Sequence, residues 1–311
     1  MSTPARALEL EQALERAAFG GAPVAVFAVV PEHPAELTPR ARWLAGVCLG
    51  AAGQYGSAAA MLFPASEPDG ATPWLDGAPP AFPAASFAAS TRASHLRQLG
   101  RHAEAEPLDW LALDSAGTGP AGAEARADAL VGLVADAVGA LDLELARSRL
   151  TVAARDLASA GWRGLVRFEW VRAETALLGG DAAAAVAAAT TALDRARHLA
   201  APRHVTKSLL VLGAAAEAAG EHDRAVRNLR TAATSAARLG TLPLAWPAHL
   251  LLARLLGEQA PRTAERERQA AGSALCAIAG GLPAAEAASL LARPEIRFVV
   301  DSRDESFWDV P

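Results

Sequence analysis

Apolar positions along the chain fall in helix-like stretches, and the valine and isoleucine runs of sheet proteins are nearly absent. Alanine, the strongest helix former, recurs throughout. Successive stretches close at Gly20, Gly53, Gly100, Gly139, Gly180, Gly220 and Gly257, at intervals mostly near 40 residues. Seven residues before these glycines stand Ala13, Gly46, Ala93, Gly132, Ala173 and Gly213; the last copy breaks the rule with Leu250. Five residues after them stand Ala25, Ala58, Ala105, Ala185 and Ala225. In the copies at Gly139 and Gly257 that alanine comes two places later, as Ala146 and Ala264. A small residue lets two helices approach closely, a glycine permits the positive φ that ends the first helix, and an alanine lets the second lie against it. The pattern predicts a helical hairpin that repeats.

Two loops interrupt the series. Pro64 to Ser86 carries Pro64, Pro68, Pro73, Pro79, Pro80 and Pro83, a density no helix interior tolerates. Trp74 and Leu75 within it are expected to pin the loop to the helices, with a lid over a groove as the alternative. Asp114 to Gly122 links two repeats. Pro283 to Ala292 reads as a short final helix covering the open end of the array. The expected division is a helical array over residues 1–292 and an acidic, aromatic tail over 293–311.

Composition adds limits. Charged residues make up 20% and the formal net charge is −5, so bulk attraction to nucleic acid is not expected. Cys48 and Cys276 are far apart in apolar sequence and read as buried thiols of a reducing compartment. Met1 to Glu15 is charged and amphipathic, unlike a secretory signal, and the apolar run Val24 to Val30 is far shorter than the roughly 20 residues of a membrane span. A cytoplasmic protein with no membrane role is expected.

The stretches LGAAAEAAGEHDRAVRNLRTA (Leu212 to Ala232) and QLGRHAEAE (Gln98 to Glu106) carry the small–glycine–alanine pattern most clearly. In them the chain resembles the tetratricopeptide repeat, over roughly residues 5 to 280. The resemblance implies an all-α, right-handed superhelix of about seven helix pairs with a capping helix, longer per unit than the family's 34 residues. It also implies that the first helix of each pair lines a concave face on which ligands bind. The last copies, including GLPAAEAASLLARPEIRFVV (Gly281 to Val300), are similar to the ends of repeat arrays in bacterial signalling-ATPase transcription regulators.

Thirteen residues before the marker glycines stand Arg40, Phe87, Arg126, Arg167, Lys207 and Leu244. Arg126, Arg167 and Lys207, from three consecutive copies, are expected to align as a cationic ladder able to grip carboxylates or phosphates. Ten before the glycines come Trp43 and Trp170, candidate apolar anchors, although Trp170 reads more readily as core. Glu174 and Glu217 fall on inner positions too. Asp194 to Arg238 is rich in arginine but lacks the aromatic residues suited to base stacking. The acidic tail around Phe307 and Trp308 complements a basic groove and is expected to dock there, on this chain or on a partner.

Catalytic and cofactor motifs fail on inspection. Gly117, Gly119 and Gly122 match G-x-G-x-x-G, but a helix precedes them and Pro120 interrupts them. Lys207-Ser208 lacks the glycine of a phosphate loop, and neither G-x-S-x-G nor H-E-x-x-H occurs. Among the histidines, His95 and His102 lie seven apart with Gly100 between them and no third ligand at convincing spacing. No cofactor or metal is expected. The leading expectation is a non-catalytic scaffold binding a protein or peptide segment on its concave face. The alternative is a sensory module binding a small effector or signal peptide, favoured over an open groove if a polar inner cavity is closed by the Pro64 to Ser86 loop.

Overall fold

A computed structural model describes residues 3–20, 37–63, 83–157 and 160–301. Among them the chain is all-α and consecutive helices pack on one another. After α1 (Thr3–Phe19) come six antiparallel pairs: α2 (Pro39–Ala51) with α3 (Tyr55–Leu62), α4 (Ala84–Gln98) with α5 (His102–Asp114), and α6 (Gly119–Gly139) with α7 (Leu143–Asp156). There follow α8 (Trp162–Leu178) with α9 (Ala182–His198), α10 (Pro202–Ala218) with α11 (His222–Leu239), and α12 (Leu242–Leu256) with α13 (Pro261–Gly280). The chain then forms α14 (Ala284–Ala292) and α15 (Pro294–Asp301). Most of the proline-rich segment, and with it Trp74 and Leu75, lies outside the described residues.

In four of the pairs the repeated small residues act at the contact inside the pair, whereas Gly132 faces Asp109 of the preceding pair. Leu62 of α3 lies against Gly46, and Leu229 of α11 against Gly213, where an added Cβ would stand 2.6 Å from the leucine side chain. Ala93 and Ala173 take the same place in their pairs and are fully buried. On the second helices Ala58, Ala105, Ala146, Ala185 and Ala225 are likewise fully buried, and Ala264 nearly so. Gly53, Gly100, Gly180 and Gly220 adopt φ between 72° and 78°, the left-handed turn that glycine takes without cost. The third pair differs. There Leu141, at φ 59°, makes the turn in place of Gly139. Ala146 stands five residues after Leu141, so its apparent offset is a misplaced origin and not an irregular helix.

Helix starts follow local chemistry. The side chains of Thr38, Asp142 and Asp181 accept hydrogen bonds from the backbone N–H groups of Ala41, Leu145 and Ala184 at 2.9–3.1 Å. Pro120 sits in the first turn of α6, directly after Gly117 and Gly119, both at positive φ. The G-x-G-x-x-G stretch is therefore a helix-to-helix turn with no strand before it. Helices α8 to α11 hold 17 or 18 residues each, and that is where the long repeat interval goes.

The first helices α2, α4, α6, α8, α10 and α12 contact one another in order, and the array curls until its ends reach its own start. Helix α1 touches α10, and Arg203 donates to the Ala18 carbonyl at 3.3 Å. At the other end the Gly56 N–H donates to the Gly281 carbonyl at 2.9 Å, and Arg101 pairs with Glu286. Tyr55 and Leu99, from the first two pairs, share one buried cluster with Leu275, Ile278, Leu290, Ile296 and Val299. Residues 294–301, read from the sequence as the start of a tail, are thus a helix packed on α13 and α14. Phe307 and Trp308 lie outside the described residues.

A candidate ligand cavity on the inner face

Curling brings the inner faces of all six first helices around one cavity of about 460 Å³. The lining comes from α2 (Val47, Gly50), α4 (Ser90, Thr91, Ser94, His95, Arg97, Gln98), α6 (Val131, Ala135, Val138), α8 (Arg163, Arg167, Trp170, Glu174), α10 (Arg203, His204, Lys207, Leu210) and the start of α12 (Leu244, Trp246). Phe19, at the end of α1, and His102, at the start of α5, complete it. That volume lies within the roughly 300–1,000 Å³ of small-molecule sites.

Of the three residues expected to form the cationic ladder, Arg167 and Lys207 face the cavity and Arg126 does not. Arg126 is half-exposed and pairs with Asp156 of α7 at 3.1 Å. The shifted turn explains why. Thirteen residues before Leu141 stands Asp128, and it is Asp128 that meets Arg167 at 2.5 Å and also pairs with Arg163. Lys207 pairs with Glu174 at 2.9 Å, so these two expected inner residues neutralise each other. Glu217 lies 3.4 Å from His222, away from the cavity.

Counting only from the −13 position missed three arginines. Arg163 and Arg203 stand one helical turn before Arg167 and Lys207, so two consecutive first helices each present cations at i and i+4. Arg97 reaches the cavity from α4, bonded to Asp109 and, at 3.1 Å, to Asp136. Burial pushes the Asp109 and Asp136 carboxyls up toward the protonated form, against the pull of Arg97. Arg163 is held from both sides. Its guanidinium meets Asp128 and, at 3.5 Å, Glu124, while the rings of Trp43, Phe19 and Phe87 stand 5.3–5.5 Å from its centre.

The two candidate tryptophans separate in role. Trp43 is buried, stacks on Phe87 at 4.7 Å and donates from Nε1 to Thr91 at 2.9 Å, so it backs the wall and presents no free anchor. Trp170 lines the cavity, donating to the Ser208 hydroxyl at 2.8 Å and stacking on His204 at 5.4 Å. His95 and His204 are buried, and each has an Nδ1 with no hydrogen-bond partner. Burial, reinforced by Arg92, Arg203 and Arg97, holds the His95 imidazole down at about 3. Burial with Arg203, Arg163 and Arg167 holds His204 well below its ordinary value. Both rings are neutral at physiological pH.

Cys48 is buried and Cys276 only half-buried, a difference the sequence pattern did not separate; both are free thiols. Among the described residues no three His, Cys, Asp or Glu side chains converge as a metal-ligand set, and no helix is long and apolar enough to cross a membrane. No family model matches the chain, and a search of curated proteins finds no match either.

Proposed function

We propose that the chain is a non-catalytic sensory or regulatory module, built as a right-handed tetratricopeptide-like superhelix of about seven pairs, that encloses a small effector or the end of a signal peptide. The observation that carries this reading is the convergence of all six first helices on one polar-and-aromatic cavity. In a tetratricopeptide-like array that face is the concave one, and here it is curled inward against α1 and the C-terminal helices. Six of those pairs lie among the described residues. A protein scaffold with an open groove, the leading expectation from the sequence, is less supported, because an α-helix alone is about 10–12 Å across with its side chains.

Binding in such a cavity bridges α2, α4, α6, α8, α10 and α12 at once, so occupancy would tighten the whole curl. That is a means of passing a signal to a partner protein, as the similarity to the arrays of signalling-ATPase regulators suggests. Native mass spectrometry of the protein isolated from its own cells tests the reading. A bound small molecule or short peptide is expected, and it should be lost in Ala135→Trp, which fills the cavity. If the natural protein carries nothing, and no fraction of a cell extract raises its melting temperature, the reading fails.

A further inference from the structure

We infer that the cavity is built for a monoanion, the carboxylate of a small organic acid or of a peptide C-terminus, received by Arg203. The inference rests on the reading of the cavity as a ligand site and names the chemistry of its occupant. Arg203 is the first-turn arginine of α10, and its side chain lies between the end of α1 and the inner wall. It is one of the residues that line the cavity. Among the described residues it forms no ion pair, and its one hydrogen bond goes to the Ala18 carbonyl at 3.3 Å. Every other cation of the lining has a carboxylate: Arg97 has Asp109 and Asp136, Arg163 and Arg167 share Asp128, with Glu124 beside Arg163, and Lys207 has Glu174.

An isolated buried charge is costly unless something pairs with it. The surroundings point to an anion from outside the fold. Arg163 and Arg167 both act on Arg203 electrostatically, and their repulsion adds to the burial that holds its guanidinium down at about 10. The Nδ1 atoms of the lining residues His95 and His204 are buried and have no hydrogen-bond partner. A single unpaired cation balances one negative charge, so a carboxylate fits where a phosphate dianion would leave a buried excess. Trp170, Leu210 and Trp246, also in the lining, give the ligand's body an apolar bed.

The test follows tryptophan fluorescence and thermal unfolding of the full-length protein against matched acid and amide pairs: hexanoate with hexanamide, and N-acetyl-Leu-Phe with its C-terminal amide. The acids should bind at least tenfold more tightly than their amides. Arg203→Gln should erase that preference and Arg126→Ala, outside the cavity, should keep it. Arg203→Met is the second variant, used if the glutamine variant is poorly folded. A tighter peptide acid makes the natural source a peptide C-terminus, and a tighter hexanoate makes it a free acid. Amides binding as well as acids would overturn the anion inference while leaving the cavity a ligand site. Inorganic phosphate competing better than either acid, no binding of either acid, or an acid preference that survives both Arg203 variants would also overturn it.

Discussion

At the scale of single residues, the inner wall is defined by groups kept in unusual states. His95 is neutral because burial and three arginines oppose its proton. In the unfolded chain its pKa returns to about 6.5. Between about 6.5 and about 3 the unfolded state therefore binds more protons, and this histidine's contribution to stability is lost as pH falls through that window. A plot of wild-type minus His95→Gln stability against pH should slope downward toward acid and be flat above pH 7; a flat curve throughout would contradict the buried neutral ring. The two thiols offer a kinetic counterpart. Burial pushes the Cys48 thiol up to about 11, whereas Cys276 is only half-buried. At pH 8 iodoacetamide should label Cys276 well before Cys48, as peptide mass mapping of the folded protein would report.

At the scale of helices, the third pair carries the sharpest lesson about what sequence conveys. Leu141 holds a left-handed turn that four other pairs give to glycine, and it is 75% exposed. A side chain in that conformation costs roughly 1–2 kcal/mol, and Leu141 recovers little of it by burial. Leu141→Gly should therefore stabilise the protein by about 1 kcal/mol in urea unfolding, while Gly220→Ala should destabilise it by about 1 kcal/mol. Equal and opposite failures would mean that Leu141 is not the turn residue. Helical class, hairpin repetition and the buried alanines were legible because they are dictated by local sterics, which repeat in the sequence as small residues at fixed spacing. Arg167, Lys207 and Trp170 were found because position within a helix transfers from copy to copy. Arg126 was misplaced because its register was counted from Gly139, and Ala146, two places late, was the signal of that error. Arg97, Arg163 and Arg203 were missed for another reason: which arginines meet in the cavity, and that Arg203 alone of them lacks a carboxylate, depends on the neighbouring helices, and no period in the sequence encodes it.

At the scale of the molecule, the cavity exists because the array closes on itself, and closure rests on a few named contacts. Leu290, Ile296 and Val299 of the last two helices are buried with Tyr55 and Leu99 of the first two pairs, and Arg101 and Glu286 pair across the same junction. These contacts join segments 185 or more residues apart, so the junction is the part of the fold least supported by local helix pairing. Truncating Ile296 to alanine should cost about 2–5 kcal/mol at the junction. The middle pairs, each packed on neighbours from both sides, should hold longer than the ends as the junction opens. Hydrogen exchange on Ile296→Ala should therefore rise first around Tyr55, Leu99 and α13, with α8 to α11 still protected. Because α1 and the C-terminal helices both contact the curl that forms the inner wall, the same variant should weaken retention of the ligand proposed for the cavity, although Ile296 does not touch the cavity. Ligand retention unchanged beside faster exchange at the junction would show that the inner wall holds its shape without closure. Exchange rising uniformly through all six pairs would instead make the array one cooperative unit, with no separate junction to open.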